Sequence, residues 1–450
     1  MAAGQGTRMK STLPKVLHEA AGRPLLYYPV RAALDAGATE IVVVVNPKAH
    51  DAIGDALHRH LPEVPIALAV QEVPRGTGDA ARAGIAKVTT ERVLLLSGDT
   101  PLLTCRELTP LLEEGAELRF LSCLLDDPTG YGRVLRSPAG QVLGIREHRD
   151  LESDAQRAIR EINAGVYAGR TDTLRRALEQ LTPNNAQGEY YLTDVVELLA
   201  QSGSAVEAVI CPPSALVGVN DRAQLQAAEE VLFTRIARGW GERGVTVRGR
   251  VLIDDTVKLD VDVLLEDGVR LRGATQVGRG AFIDVGSVLT DVSVGPETVV
   301  KPYSVLSQSS VGQRAQIGPF SHLRPDSTIE DEAHIGNFVE TKKTRVRRGA
   351  KANHLAYLGD GDVGENANIG AGTIFCNYDG YRKHQTTIGA GAFIGSDSQL
   401  IAPVRIGAGA YVATGTSVTE DVPDDGFAIG RCRQTTKPDY APRLKTRLKP

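Results

Sequence analysis

The stretch IGAGAFIGSDSQLIAPVRIGAGAYVATGTSV, residues 388–418, carries an aliphatic residue at every sixth position: Ile388, Ile394, Leu400, Ile406, Val412 and Val418. Neither a helix, with its 3.6-residue period, nor a strand, with its period of two, sustains that spacing. A coil with three short sides does, each side turning one aliphatic residue inward, so the spacing predicts a parallel β-helix of hexapeptide repeats. Ile253, Leu259, Leu265, Leu271, Val277, Ile283 and Leu289 keep the same count, as do Val311, Ile317, Leu323, Ile329 and Ile335. Glycines directly after the aliphatic position, among them Gly312, Gly336, Gly370 and Gly395, suit corners where a Cβ would crowd the turn. Two segments break the count, 336–362 and 375–387, and are expected to be insertions forming loops on one face.

Upstream the rhythm is different. IVVVV (41–45) and RVLLLSGD (92–99) are continuous apolar runs that alternate with helical segments such as LLYYPVRAALDAGA and DAARAGIAKV. Runs of this kind predict strands buried on both faces of a parallel sheet, and hence a doubly wound α/β domain over residues 1–217. Ligands of such a sheet sit at the carboxyl ends of its strands. Residues 218–244, GVNDRAQLQAAEEVLFTRIARGWGERG, read as a helical linker, with Asn220 or Asp221 as cap and Leu225, Ala228, Leu232 and Ile236 at helical spacing. The β-helix is expected over 245–430, followed by a basic, proline-punctuated tail, 431–450, lying extended on the surface.

The charge balance, 51 Lys and Arg against 55 Asp and Glu, provides no global field for nucleic acid or a membrane surface. Five scattered cysteines without C-x-x-C spacing define neither a zinc site nor a disulfide framework. No stretch reaches the length of a membrane span, and a soluble cytoplasmic protein is expected.

Three segments of the first half carry chemistry. AAGQGTRM (2–9) is a glycine-rich loop with basic Arg8, and Lys15 follows in LPK. Flexible backbone beside fixed positive charge suits a nucleoside triphosphate, although a lone G-x-G more often marks a plain turn. Asp99, directly after a buried run, could hold Mg²⁺ or serve as a helix cap. QEVPRGTGDA (71–80) adds a glycine–threonine turn that could meet a base or ribose.

Together these segments resemble the sugar-1-phosphate nucleotidyltransferases. GYGRVLR (130–136), IREHRD (145–150), EINAGVYAG (161–169), NNAQGEYYLTDVV (184–196) and GVND (218–221), joined to a hexapeptide β-helix, narrow the likeness. The chain resembles the family of bifunctional N-acetylglucosamine-1-phosphate uridyltransferases / glucosamine-1-phosphate acetyltransferases over nearly its whole length. The resemblance implies that Ala3, Gly4, Arg8 and Lys15 would cradle the phosphates of UTP. Gln71, Gly76 and Thr77 would contact uridine; Asp99 and Asn220 would hold Mg²⁺ in the same uridyl site; and Gly132, Glu147 and Asn163 would fix the sugar. A phosphate oxygen of N-acetylglucosamine-1-phosphate would attack the α-phosphorus of UTP and release pyrophosphate.

In the second half, HLRPDS (322–327), NFVETKKTRVRRGAKANHLAYLGD (337–360) and NIGAGTIFCNYDGYRKHQT (368–386) depart from plain repeats. Residues 342–351 hold six Lys or Arg in ten positions, a solvated face or a site for a phosphorylated ligand. His354 beside this run is a candidate general base. The resemblance implies that His354 would deprotonate the sugar amine as it attacks the acetyl-CoA thioester. Arg324, Lys342, Tyr357, Asn368 and Lys383 would bind glucosamine-1-phosphate, and Ala371, Asn377, Tyr378, Ser396 and Arg431 would lie along acetyl-coenzyme A. It further implies a left-handed β-helix, a homotrimer with acetyl sites between subunits, and a product, UDP-N-acetylglucosamine, that feeds bacterial cell-wall and lipopolysaccharide synthesis.

The sequence departs from the family pattern twice. Asp79 stands where many relatives carry histidine. The family's short apolar strand before the glycine loop is absent, so the loop is expected to be cut from its strand, with upstream residues needed to restore it. Unpaired strand edges would destabilise this region by several kcal/mol. Two readings therefore stay open beside the bifunctional one: acetyl transfer alone, or a non-catalytic trimeric scaffold.

Overall fold

A computed structural model describes residues 1–4, 6–216, 218–430 and 433–448, and the chain divides into two compact units, Met1–Arg235 and Ile236–Pro450. Among the described residues no helix is long and apolar enough to cross a membrane.

The first unit is built on two sheets. Strand Ile41–Val45 pairs in parallel with Ile66–Val70, and a second sheet is centred on the long strand Glu161–Arg170. Leu118–Leu124 and Arg92–Leu95 both pair with that strand antiparallel, and Val206–Ile210 pairs in parallel with Leu118–Leu124. The apolar runs are strands as expected, but the sheet is mixed rather than wholly parallel, because EINAGVYAGR returns against its neighbours. Helices Tyr27–Asp35, His50–His60, Thr77–Ile85 and Thr171–Glu179 cover the sheets with alanine- and leucine-lined faces.

Residues 1–3 answer the question of the absent strand. Met1 N donates to the Leu96 carbonyl at 2.7 Å, Ala2 N–H to Val44 at 2.7 Å, and Gly98 N–H to Met1 at 2.8 Å. The glycine loop is therefore not cut loose: three hydrogen bonds hold its entry between strands Ile41–Val45 and Arg92–Leu95. Beside Met1 the space between these strands remains a cavity of about 260 Å³, lined by Val42, Val44, Leu94, Leu96 and Val30.

The second unit is a left-handed β-solenoid. Among its described residues three parallel sheets of 11, 10 and 9 strands form the faces of a prism, here called the first, second and third face. Leu265, Leu271 and Val277 illustrate one coil, each fully or nearly buried on a different face. Burial of one such side chain contributes roughly 1.5–3 kcal/mol, repeated coil after coil. Paired rungs lie 18 positions apart (Leu271 and Leu289) or 17 (Leu289 and Leu306).

That difference corrects the reading of 336–362 as an insertion. Ile335 pairs with Ala352 and Thr341 with Leu358, so the coils run on without a loop. A corner one residue shorter shifts a six-residue count without interrupting the solenoid. The second interruption is a real insertion: Phe375 and Leu400 are neighbouring rungs 25 positions apart, and residues 377–385 form the extra loop. Corner glycines answer to the packing of coils. A Cβ on Gly336 would lie 2.0 Å from the Asn353 carbonyl oxygen of the next coil.

Helix Arg222–Gly241 realises the helical linker. The C-terminal tail is not extended throughout: Tyr440–Leu448 is an α-helix, with Pro442 in its first turn, where its missing N–H costs nothing.

Candidate functional site

In the first unit the candidate residues gather at the carboxyl ends of the strands. Gly6 takes a left-handed φ of 58°, and a Cβ there would meet the Lys15 side chain at 2.5 Å, so glycine lets the loop close over the lysine. Arg8 is exposed and makes no hydrogen bond or ion pair among the described residues. The Ala3 carbonyl accepts from Asn46 Nδ2 at 3.2 Å, and Gly4 is exposed.

Lys15 Nζ forms a salt bridge with Asp99 and donates to Asn220 Oδ1 at 3.2 Å. One cation thus touches both candidate metal ligands. A carboxylate and an amide oxygen converging on one point are the hard donors Mg²⁺ takes when substrate phosphates supply the rest, so these residues fit that ion. Among the described residues no cluster of three or more His, Cys, Asp or Glu side chains has metal-binding geometry.

The glycine–threonine turn is tied to the segment Tyr190–Leu192. Gly76 has a φ of 112°, Gly78 N–H donates to the Tyr190 carbonyl at 2.8 Å, and Leu192 N–H to Thr77 Oγ1 at 3.0 Å. Gln71 is buried, its Nε2 donating to Gly76 and to Asp79.

The three sugar-side candidates come together. Asn163 N–H donates to the Gly132 carbonyl at 2.9 Å, and a Cβ on Gly132 would come within 3.3 Å of Glu147 Oε1. Glu147 accepts from Thr193 Oγ1 at 3.1 Å, and Asn163 Nδ2 donates to the buried Tyr167 hydroxyl at 2.7 Å. Burial raises the Glu147 carboxyl above its ordinary range, against the opposing Thr193 hydrogen bond. Asp194 is pushed up to about 6, by burial first and then by the Glu197 carboxylate. A Cβ on Gly165, two residues past Asn163, would lie 3.7 Å from Ser97 Oγ, which joins this cluster to the strand end bearing Asp99.

In the second unit the register decides what meets what. His354 pairs with Asn337, Ala352 with Ile369, and Ile369 with Ile394. His354, Ala371 and Ser396 are consequently successive rungs of one column at the corner between the first and second faces. Arg324 and Lys342 are stacked rungs on the second face, beside Tyr357 in the next coil. Arg324 is held by Glu340 at 2.8 Å, while Tyr357 Oη and Asn377 Nδ2 converge over Gly359. Asn377 donates to Asp360 Oδ2 at 2.5 Å, and Lys383 Nζ lies 4.4 Å over the Tyr378 ring, both in the inserted loop. Asn368 is not brought to this group; it lies on the first face. Arg431 lies outside the described residues.

The basic run 342–351 wraps around the prism and is no single patch. Lys342 is on the second face, Arg345 and Arg347 belong to the third, paired with Glu330 (2.6 Å) and Asp362 (2.8 Å), and Lys351 is on the first. Reading single residues missed Asp79, Tyr167, Thr193 and Asp360, each of which holds a candidate. Asp79 alone had a signal, as a departure from the family pattern.

A nucleotidyltransferase sheet with its glycine loop, combined with a hexapeptide solenoid bearing a corner histidine, defines a two-domain transferase. Residues 1–166 match the MobA-like NTP transferase domain family. The chain is 59% identical over 458 residues to the bifunctional protein GlmU of Sorangium cellulosum, covering 100% of this chain and 96% of that protein. It is 48% identical over 452 residues to GlmU of an Anaeromyxobacter species (99% and 92% covered) and 43% over 446 residues to that of Trichlorobacter lovleyi (97% and 96%). The chain belongs to the bifunctional GlmU family. It is an acetyltransferase and uridylyltransferase of UDP-N-acetylglucosamine biosynthesis.

Proposed function

We propose that residues 1–217 carry out uridylyl transfer and residues 245–430 acetyl transfer, each with the candidates described above. Arg8 and Lys15 bind the UTP phosphates, Gln71, Gly76 and Thr77 the uridine, and Gly132, Glu147 and Asn163 the N-acetyl sugar. Asp99 and Asn220 hold Mg²⁺, which when bound neutralises charge on the phosphates. The observation that carries this reading is the Lys15 ammonium touching Asp99 and Asn220 together: positive charge is already organised where negative charge must develop. Attack by a phosphate oxygen of N-acetylglucosamine-1-phosphate forms one P–O bond at the α-phosphorus, and pyrophosphate leaves as the other breaks.

In the solenoid, His354 takes the proton of the glucosamine-1-phosphate amine as its nitrogen attacks the thioester carbonyl, and coenzyme A leaves as the thiol. Arg324, Lys342, Tyr357 and Lys383 bind the sugar phosphate; Ala371, Ser396, Asn377 and Tyr378 lie along acetyl-CoA. Asn368 and Arg431 join these sets. A homotrimer is the assembly favoured by the division of the sugar-phosphate candidates between two faces, since a neighbouring copy could offer Asn368 to a site its own corner cannot complete. Both co-substrates are cytoplasmic metabolites, and the reading places the enzyme in that compartment.

The test runs both half-reactions on one preparation of the full chain. Thiol release from acetyl-CoA with glucosamine-1-phosphate should fall about 10²–10⁴-fold in His354→Gln, with pyrophosphate release from UTP unchanged. Equal loss of both activities, or of neither, would sink the assignment.

A further inference from the structure

Gln71 closes the strand Ile66–Val70 at the carboxyl edge of its sheet and is 6% exposed. Its Nε2 donates to Asp79 Oδ2 at 2.9 Å and to the Gly76 carbonyl at 3.1 Å. A carboxylate and a carbonyl only accept, so the face of the amide turned toward them must be its NH₂. Arg75 lies 3.6 Å from Asp79 Oδ1, an ion pair to the other carboxylate oxygen. Both hydrogens of the Gln71 amide are thereby consumed. Its Oε1 accepts no hydrogen bond among the described residues and is not fully buried.

Without Asp79 only the Gly76 carbonyl would oppose a half-turn of the amide, which exchanges a donor for an acceptor; Asp79 adds a second, charge-assisted bond against that turn. With Asp79 the glutamine is an acceptor only. We propose that Asp79 is the positioning residue that sets nucleobase choice: through Gln71 it presents a lone acceptor, which suits a pyrimidine whose ring nitrogen carries a hydrogen and opposes one whose ring nitrogen is itself an acceptor. This rests on the reading that Gln71 meets the base of the nucleoside triphosphate. Uracil, with N3–H, is accepted; cytosine, with a bare N3, sets a lone pair against Oε1. The amide cannot turn without breaking the bonds that its Nε2 donates to Asp79 and Gly76. A site built around one buried hydrogen bond discriminates strongly against a ligand lacking the matching group.

The experiment measures kcat/KM for UTP and CTP in pyrophosphate release by the full-length protein, as wild type, Asp79→Asn and Gln71→Leu, with thiol release as a control of folding. The wild type should favour UTP by roughly 100-fold or more. Asp79→Asn, whose amide can donate or accept, should free Gln71 to turn and bring the ratio to within roughly tenfold, mainly by improving CTP. If Gln71→Leu collapses the preference and Asp79→Asn leaves it intact, the positioning role of Asp79 is wrong and the base-site reading stands. If Gln71→Leu also leaves it intact, the base-site reading fails, and the proposal with it. Wild-type protein gives an independent check should Asp79→Asn not fold: N3-methyl-UTP, which lacks the ring hydrogen, should be used at least roughly tenfold less well than UTP, and equal use of the two overturns the proposal.

Discussion

Asp194 gives the sharpest test of the electrostatics around the sugar-side cluster. It opens helix Asp194–Gln201, half-buried, and faces the carboxylates of Glu197, Glu147 and Asp150, with Arg146 as the opposing charge. Its carboxyl is raised from 3.8 to about 6. The folded state therefore binds this proton more tightly than the unfolded chain does. The stabilisation is complete below the unfolded value and is lost as pH rises through the folded one. At about 1.4 kcal/mol per pKa unit, ionised Asp194 costs the folded first unit up to roughly 3 kcal/mol at pH 7.5. Asp194→Asn removes the titration and keeps the shape. The variant should be more stable than wild type at pH 7.5 by up to that amount, an upward shift of roughly 6–12 °C in the transition of the first unit. At pH 4.5 the two proteins should unfold together to within about 1 kcal/mol, since the wild-type carboxyl is then protonated in the folded state. Calorimetry of the full-length protein at the two pH values reads the difference. An advantage of the same size at both, or none at pH 7.5, would refute the reasoning.

Three further outcomes are expected. Gly336→Ala forces a Cβ against the Asn353 carbonyl beside His354, so it should destabilise the solenoid by about 1–3 kcal/mol and depress acetyl transfer while sparing uridylyl transfer, both measurable on one preparation. Lys15→Met should lower pyrophosphate release by about 10²-fold or more and leave thiol release unchanged; retention of uridylyl transfer within twofold would exclude Lys15 from the phosphate site. Tyr167→Phe removes the hydroxyl that fixes Asn163, so KM for N-acetylglucosamine-1-phosphate should rise by up to about tenfold with KM for UTP unmoved, and a rise in both would point to general disorder of the sheet.

The architecture was legible because its signals are local. An aliphatic residue every six positions reports the repeat of a single coil, and the runs 41–45 and 92–95 report strands without reference to their partners. The same locality explains the errors. At 336–362 a shortened corner looked like an insertion, because a count along the chain cannot tell a missing residue in a turn from added ones. The basic run 342–351 looked like one patch, because adjacency in sequence becomes three different faces once the chain bends around a prism.

By itself the sequence determined the two-part organisation, the hexapeptide solenoid, and the residue types available for phosphate binding and for general-base chemistry. Only the tertiary structure decided which of them act together. Lys15 reaches Asp99 and Asn220 across 84 and 205 positions of chain. His354, Ala371 and Ser396 share a column through the strand register alone. Asp79 and Gln71 are near in sequence, yet which end of the amide is turned outward follows from where a helix start meets a strand end. Such contacts depend on how elements pack, and packing free energy is shared over residues too distant for any spacing rule to connect.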